Sequence, residues 1–356
     1  MSADATVDEP RARVRRALRL GLVGLLVSAV ALELFVGPVP ISLAQAAAIV
    51  LDTLGVHLPI AYGRPERAVL LSLRLPRVLV AGLVGAALGC GGAALQALFR
   101  NPLADPQLIG VASGASVGAA LVITLGGAWV VELAVLGPAP IALAAFGGAL
   151  LATALVYRLA SLGGRPSMTH MLLAGVAINA FAWSLVGLLQ FGADDMQLRD
   201  LAHWLLGEVG RARWAELPWL LAGVIPALVG LRRLAAELDV SLLGDAAARD
   251  LGVDVDALRR RVIVWVALAV GVSVACTGPI GFVGLAVPHM LRLIVGSGHR
   301  SLLVDAALLG AGLLIAADAF ARVIVAPAEL PVGILTTLLG APLFLGLLLR
   351  DLRGRA

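Results

Sequence analysis

Residues 78–99 read VLVAGLVGAALGCGGAALQALF, an apolar run without one charged side chain. A helix needs about 20 such residues to cross the hydrocarbon of a bilayer. Its small residues Gly82, Ala86, Gly89, Gly91 and Gly92 let a neighbouring helix approach closely. Further apolar runs occupy 20–36, 108–126, 140–160, 169–191, 214–231, 260–278, 280–296, 302–326 and 332–349. The run 280–296 is short and interrupted by Pro288. The run 20–36 follows Arg11, Arg13, Arg15, Arg16 and Arg19, the charge pattern of a secretory signal peptide. It is long for that purpose and many spans follow, so a first transmembrane helix is expected instead. Ala44–Leu54 is amphipathic and is expected to lie along the membrane surface.

The 356 residues are 60% hydrophobic and 14% charged, with a mean hydropathy of +0.98. A soluble domain is about half apolar and a quarter charged. A water-soluble fold and disorder are both excluded. The chain reads as an all-α polytopic membrane protein with about ten transmembrane helices in one domain, 1–356. Residues 1–19 form a cytoplasmic tail, and 232–259 form a cytoplasmic loop.

All 27 basic residues are arginine. The chain therefore has neither a P-loop lysine for ATP nor a Schiff-base lysine for pyridoxal phosphate. Cys90 and Cys276 lie in separate apolar runs and imply neither a disulfide framework nor a metal site. Arginine bias sets the orientation. With the N-terminus in the cytoplasm, only Arg64, Arg67, Arg74, Arg77, Arg199, Arg211, Arg213 and Arg322 fall outside. Those exceptions need a reason.

Three stretches carry further information. Leu73-Arg74-Leu75-Pro76-Arg77 opens the run that ends at Arg100-Asn101-Pro102-Leu103-Ala104-Asp105-Pro106, where two prolines break the helix. Residues 239–253 form a cytoplasmic segment in which Ser241 or Asp245 caps a short helix and Gly252 ends it. Its apolar residues Leu242, Leu243, Ala247, Ala248 and Leu251 suit docking to a partner. Gly278–Arg292 contains His289, for which a structural or interfacial role is expected. Asp318 and Arg322 share one helix face at i,i+4 spacing, where a local ion pair is the simplest arrangement.

Taken together, these stretches resemble the permease subunits of type II ABC importers for iron chelates, haem and vitamin B12. The resemblance runs from about Val36 to Arg350 and includes Gly281-Phe282-Val283-Gly284-Leu285-Ala286-Val287-Pro288-His289, Glu329-Leu330-Pro331-Val332-Gly333 and Gly340-Ala341-Pro342. It implies a homodimer with the pathway between protomers, in the inner membrane of a bacterium. It also implies two ATP-binding subunits below and an extracytoplasmic binding protein above. No cofactor, metal, nucleic acid or catalytic residue is expected. Leu242, Leu243, Gly244, Asp245, Ala248, Arg249, Leu251, Gly252 and Val253 match the ATPase-coupling segment. Asn101, Leu103, Met168 and Thr169 match the cytoplasmic gate. Arg74, Arg77 and Arg322 match positions that receive acidic residues of the binding protein.

Ala193-Asp194-Asp195-Met196-Gln197-Leu198-Arg199, in the outer loop 193–210, resembles the corresponding segment of haem permeases. Haem is therefore the expected substrate, with His203 as a substrate-loop residue and a ferric siderophore or cobalamin as the alternatives. A secondary carrier coupled through Asp318 or Glu329 is the alternative of another class. The position of these carboxylates near helix ends argues against it. An intramembrane enzyme would need a nucleophile–base or metal constellation, which does not appear.

Overall fold

A computed structural model describes residues 5–37, 39–126, 139–162, 168–295 and 298–355. The described residues contain helices and no strands. Helix α1 (Ala5–Phe35) is followed by α2 (Leu43–Thr53). Helix α3 (Arg64–Ala68) continues through a π-helical stretch, Val69–Arg74, into α4 (Leu75–Phe99). A 3-10 turn (Pro106–Ile109) leads to α5 (Val111–Leu125), α6 (Ala139–Ala160) and α7 (Met168–Phe191). Then come α8 (Asp195–Leu205), α9 (Leu217–Arg233), α10 (Ala235–Ser241) and α11 (Asp245–Asp250). The chain closes with α12 (Val255–Thr277), α13 (Val283–Val295), α14 (His299–Ile324) and α15 (Val332–Arg355).

Each apolar run of the sequence contains a helix among the described residues. Six helical stretches are long and apolar enough to cross a bilayer alone: Arg13–Phe35, Arg64–Phe99, α6, α7, α12 and α14. A seventh forms if α9 and α10, bent by 51° at their junction, are taken as one span. Helices α5, α13 and the Val332–Gly346 part of α15 are shorter apolar segments. Pro288 lies inside α13.

Local chemistry sets the element ends. Ser42 and Gln45 form a reciprocal capping box on α2. Asp52 near its end is held below the ordinary carboxylate value, first by the Tyr62 hydroxyl and then by His57 and Arg67. That ties the surface helix to the 57–67 segment. The π stretch sets its carbonyls off the regular ladder, and Trp214 Nε1–H donates to the Leu71 oxygen at 2.7 Å. Helix α4 stops where Arg100 turns left-handed, at φ 50°. Asn101 Oδ1 then accepts from the Leu103 N–H at 2.9 Å, and Asp105 Oδ1 from the Gln107 N–H at 2.8 Å.

Helix α4 is the axis of the bundle, with α14, α12, α13 and α9 packed around it. Helices α5, α6 and α7 form a second group joined through α12. Glycine permits the closest crossings. A Cβ on Gly85 would lie 2.2 Å from the Gly310 oxygen, and one on Gly92 would lie 1.8 Å from the Gly284 oxygen. Polar side chains add to the packing. Gln96 Nε2 donates to the Leu285 oxygen at 3.2 Å, and Gln96 Oε1 accepts from Arg292. Lipid has no hydrophobic effect to drive helices together, so such close packing and interhelical hydrogen bonds must do it.

A Gly92→Val variant has no room for its side chain against α13. It is expected to lose roughly 1–3 kcal/mol, read as a lower unfolding temperature in lipid nanodiscs. Gly147→Ala, where nothing lies within 4 Å, is the control and should melt like the parent. Equal melting of both variants would refute the close crossing.

Candidate functional site

At the end that the arginine bias places outside, three spans and one loop converge on a charged cluster. Helix α1 supplies Glu33, the start of α4 supplies Arg74 and Arg77, and α14 supplies Asp318 and Arg322. The segment before α15 supplies Glu329. Arg77 is the hub. It donates from Nε and from Nη2, the latter at 3.0 Å, to the two oxygens of Asp318. It donates from Nη1 to Glu329 Oε2 at 2.8 Å, and Glu33 lies 3.6 Å from its Nε. Arg322 Nη1 lies 2.9 Å from Glu33 Oε1, an ion pair rather than an aligned hydrogen bond. Its Nη2 donates to the Glu33 and Val36 carbonyls at 2.8 and 2.6 Å. Arg74 donates to the Leu34 and Val39 carbonyls.

Five of these six side chains are buried. Arg74, Arg77 and Arg322 are 2%, 6% and 6% exposed, and Glu33 and Asp318 are buried as well. The side chain of Glu329 is 43% exposed. Three arginines face three carboxyl groups. Charges removed from water persist only when paired and hydrogen-bonded.

Arg74, Arg77 and Arg322, the positions expected to receive acidic residues of a binding protein, are buried and engaged within the protomer. One expectation is corrected: the i,i+4 pair of Asp318 with Arg322 is replaced, because Asp318 pairs with Arg77 and Arg322 with Glu33. Helical spacing brought Asp318 and Arg322 onto one face, but α4 and α1 insert better-placed partners. Glu33, the partner that sequence reasoning missed, left one signal: a lone carboxylate near the outer end of an apolar run.

At the opposite end, the 239–253 segment forms α10 and α11. Gly244 at φ 104° and Gly252 at φ 85° bracket α11. Neither Ser241 nor Asp245 caps it: Gly244 holds the N-cap position. Ser241 bonds the Leu238 carbonyl. Asp245 accepts from Arg100 Nη2 at 2.9 Å and from Arg259, which fastens the segment to α4 and α12. Ala248 is buried, while Leu243 and Leu251 are 66% and 63% exposed and Leu242 is 38% exposed. Arg249 pairs with Asp256 at 3.5 Å, and Val253 packs on the core.

The four residues expected at the gate divide between two elements. Asn101 and the exposed Leu103 lie in the turn after α4, and Met168 and Thr169 begin α7. Two interactions that the sequence did not reveal join these elements. Asn179 donates to the Gln107 carbonyl at 3.1 Å and receives Ser113 Oγ–H at 2.5 Å. Gly175 lies against the Leu108 carbonyl, 1.9 Å from where a Cβ would stand. The outer 193–210 segment contains a helix, α8, with a capping box of Asp194 and Gln197. His203 is exposed in its last turn. His289 sits edge-on to Phe344 with ring centroids 6.2 Å apart. No group of three or more potential metal ligands gathers among the described residues.

The sequence profile of the FecCD transport family matches residues 25–350. The chain is similar to the hemin transport system permease protein HmuU of Yersinia pestis, with 44% identity over 287 residues, 80% of this chain and 84% of that protein. It is 40% identical over 306 residues to the cobalamin import system permease protein BtuC of Halobacterium salinarum, 85% of this chain and 80% of that protein. Its fold is similar to a solved metal-chelate type ABC transporter in an inward-facing conformation. That match has a TM-score of 0.80 and 32% identity, and covers 94% of this chain and 99% of the other.

Glu33→Gln leaves the Arg322 charge buried without its carboxylate. It should cost about 3–5 kcal/mol, seen as a lower unfolding temperature in nanodiscs. Adding Arg322→Gln should recover part of the loss. A variant that melts with the parent would show that Glu33 does not hold the Arg322 charge.

Proposed function

The chain belongs to the FecCD transport family, and from that premise we propose that it imports haem through a pathway between two copies of itself. It is the membrane permease subunit of an ABC importer and not itself an enzyme. Permeases of this family work with ATPase and binding-protein partners. Membership sets aside the ion-coupled carrier. The observation that carries the haem reading is the 44% identity to a hemin permease. The Asp194–Arg199 segment and the exposed His203 support it. Cobalamin permeases are nearly as similar, so substrate choice is the point to test.

The homodimer reading rests on the family resemblance, with apolar side chains of the protomer facing lipid or the second copy. Leu173, Val176, Phe181 and Leu188 on α7 and Leu338 and Leu339 on α15 are exposed. A shared cavity moves a large chelate without opening one bundle. Asn101, Leu103, Met168 and Thr169 narrow its cytoplasmic mouth. Residues 242–253 seat on the ATPase, with Leu243 and Leu251 as apolar contacts and Asp245 as the brace to the bundle.

Docking of the binding protein acts on Arg74, Arg77 and Arg322 from above. Of their carboxylate partners, Glu329 is the one at the surface, so an incoming acid reaches Arg77 by displacing it. Glu329→Gln should therefore speed association of the binding protein severalfold at low salt, an effect that fades as salt screens it. An unchanged association rate would remove Arg77 from docking.

The complex of permease, ATPase and binding protein in proteoliposomes tests the substrate. Haem-loaded binding protein should stimulate ATP hydrolysis and uptake more than a ferric siderophore or cobalamin does. Stimulation by cobalamin alone would overturn haem. The double variant Leu243→Asp, Leu251→Asp should lower coupled uptake at least tenfold, because each site loses apolar burial and gains a desolvated charge. Normal uptake would disprove the assignment of this segment.

A further inference from the structure

The stretch of α1 just before Leu20, the first turn of α14 and the last turn of α9 meet at the inner end of the bundle around a cavity of about 470 Å³. Five arginines line it: Arg15, Arg16 and Arg19 from α1, Arg232 from α9 and Arg300 from α14. The remaining lining is Asp239, Gly298 and Ser301. Nothing in the import cycle described above uses this place.

Its charge is strongly one-sided. Arg19 donates to Asp305 at 3.1 Å and keeps half of its side chain exposed. The single lining carboxylate, Asp239, is already occupied by His299, whose backbone N–H and ring Nδ1 lie 2.9 and 2.6 Å from it. Arg15, Arg16, Arg232 and Arg300 are exposed and form no salt bridge among the described residues. A second source of positive potential points to the same place. Gly298 starts the 26-residue α14 and offers no side-chain cap. The Leu302 N–H reaches the Gly298 oxygen, but the N–H groups of Arg300 and Ser301 lie in the first turn, where no intrahelical acceptor exists. The positive end of the helix dipole adds to them.

We propose that this cavity binds a phosphate-bearing anionic headgroup, supplied by a phospholipid of the inner leaflet. The depth of the cavity selects the lipid. Every arginine in it occupies the terminal turn of a membrane-spanning helix or the turn just before its apolar stretch. Arg19 precedes Leu20, Arg232 closes α9, and Arg300 precedes Leu302. That is the level at which headgroups lie, and basic pockets between spans on the cytoplasmic side take anionic lipids. Arginine holds phosphate oxygens through two parallel hydrogen bonds. The bound lipid staples α1 to α9 and α14 at the inner end, as the charge cluster ties α1 to α4 and α14 at the outer end.

The full chain in phosphatidylcholine nanodiscs, titrated with phosphatidylglycerol and read by native mass spectrometry, tests this. The parent should retain phosphatidylglycerol in preference to phosphatidylcholine. Arg16→Gln, Arg232→Gln and Arg300→Gln should each weaken that retention roughly fivefold. Arg64→Gln, on the opposite side of the membrane, should not. Raised ionic strength should weaken retention in the parent. Equal retention of the two lipids by the parent would overturn the proposal, and that comparison needs no variant to fold. Displacement of the lipid by inorganic phosphate at matched ionic strength would reassign the cavity to a soluble anion. Undiminished lipid retention in the three variants, with loss of the ATPase subunits instead, would reassign it to that partner.

Discussion

The guanidinium of Arg77 is the interaction on which the outer half of the protein depends. It reaches carboxylates from α1, α14 and the segment before α15 while itself belonging to α4. A charge in so apolar a surrounding persists only within a neutral, hydrogen-bonded set. Arg77 meets that condition through its hydrogen bonds to Asp318 and Glu329, and the requirement fixes how the helices that carry these groups meet. Helix α1 shows the consequence. It is among the least buried of the spans. Its outer end is nevertheless held firmly, because Arg74 and Arg322 bond the carbonyls of Glu33, Leu34, Val36 and Val39 where the helix ends.

Helix α4 carries this constraint through the bundle. Arg77 near its start belongs to the outer cluster, Gln96 binds α13, and Arg100 at its end bonds Asp245 at the start of α11. Gly85 and Gly92 let α14 and α13 lie directly against its backbone. The two faces of the permease thus share one closely packed element. In the proposed cycle, binding-protein docking above and ATPase closure below act on opposite ends of it.

Much of the fold was legible because lipid imposes a simple rule: long apolar runs become helices. Each run became one, and the breaks at Asn101-Pro102 and near Gly252 fell where the residues placed them. The short helix at 245–250 was legible for the same local reason, since two glycines and a few small residues define it. The charge cluster was not. Arg77 and Asp318 are 241 positions apart, and no pattern in a single sequence joins them. Local spacing instead favoured Asp318 with Arg322, a contact that tertiary packing overrode. Likewise, the bonds of Asn179 to the turn after α4 depend on how α7 crosses it.

A double-mutant cycle of Arg77→Met and Asp318→Leu, read as unfolding free energy in lipid, tests the central claim most directly. The pair should show a coupling of at least about 2 kcal/mol, the range found for residues in one buried network. Each single variant should be worse than the double, because each leaves a buried charge without its main partner. A coupling below about 0.5 kcal/mol, the size of non-additivity between independent sites, would contradict the account and return Arg77 to an open surface.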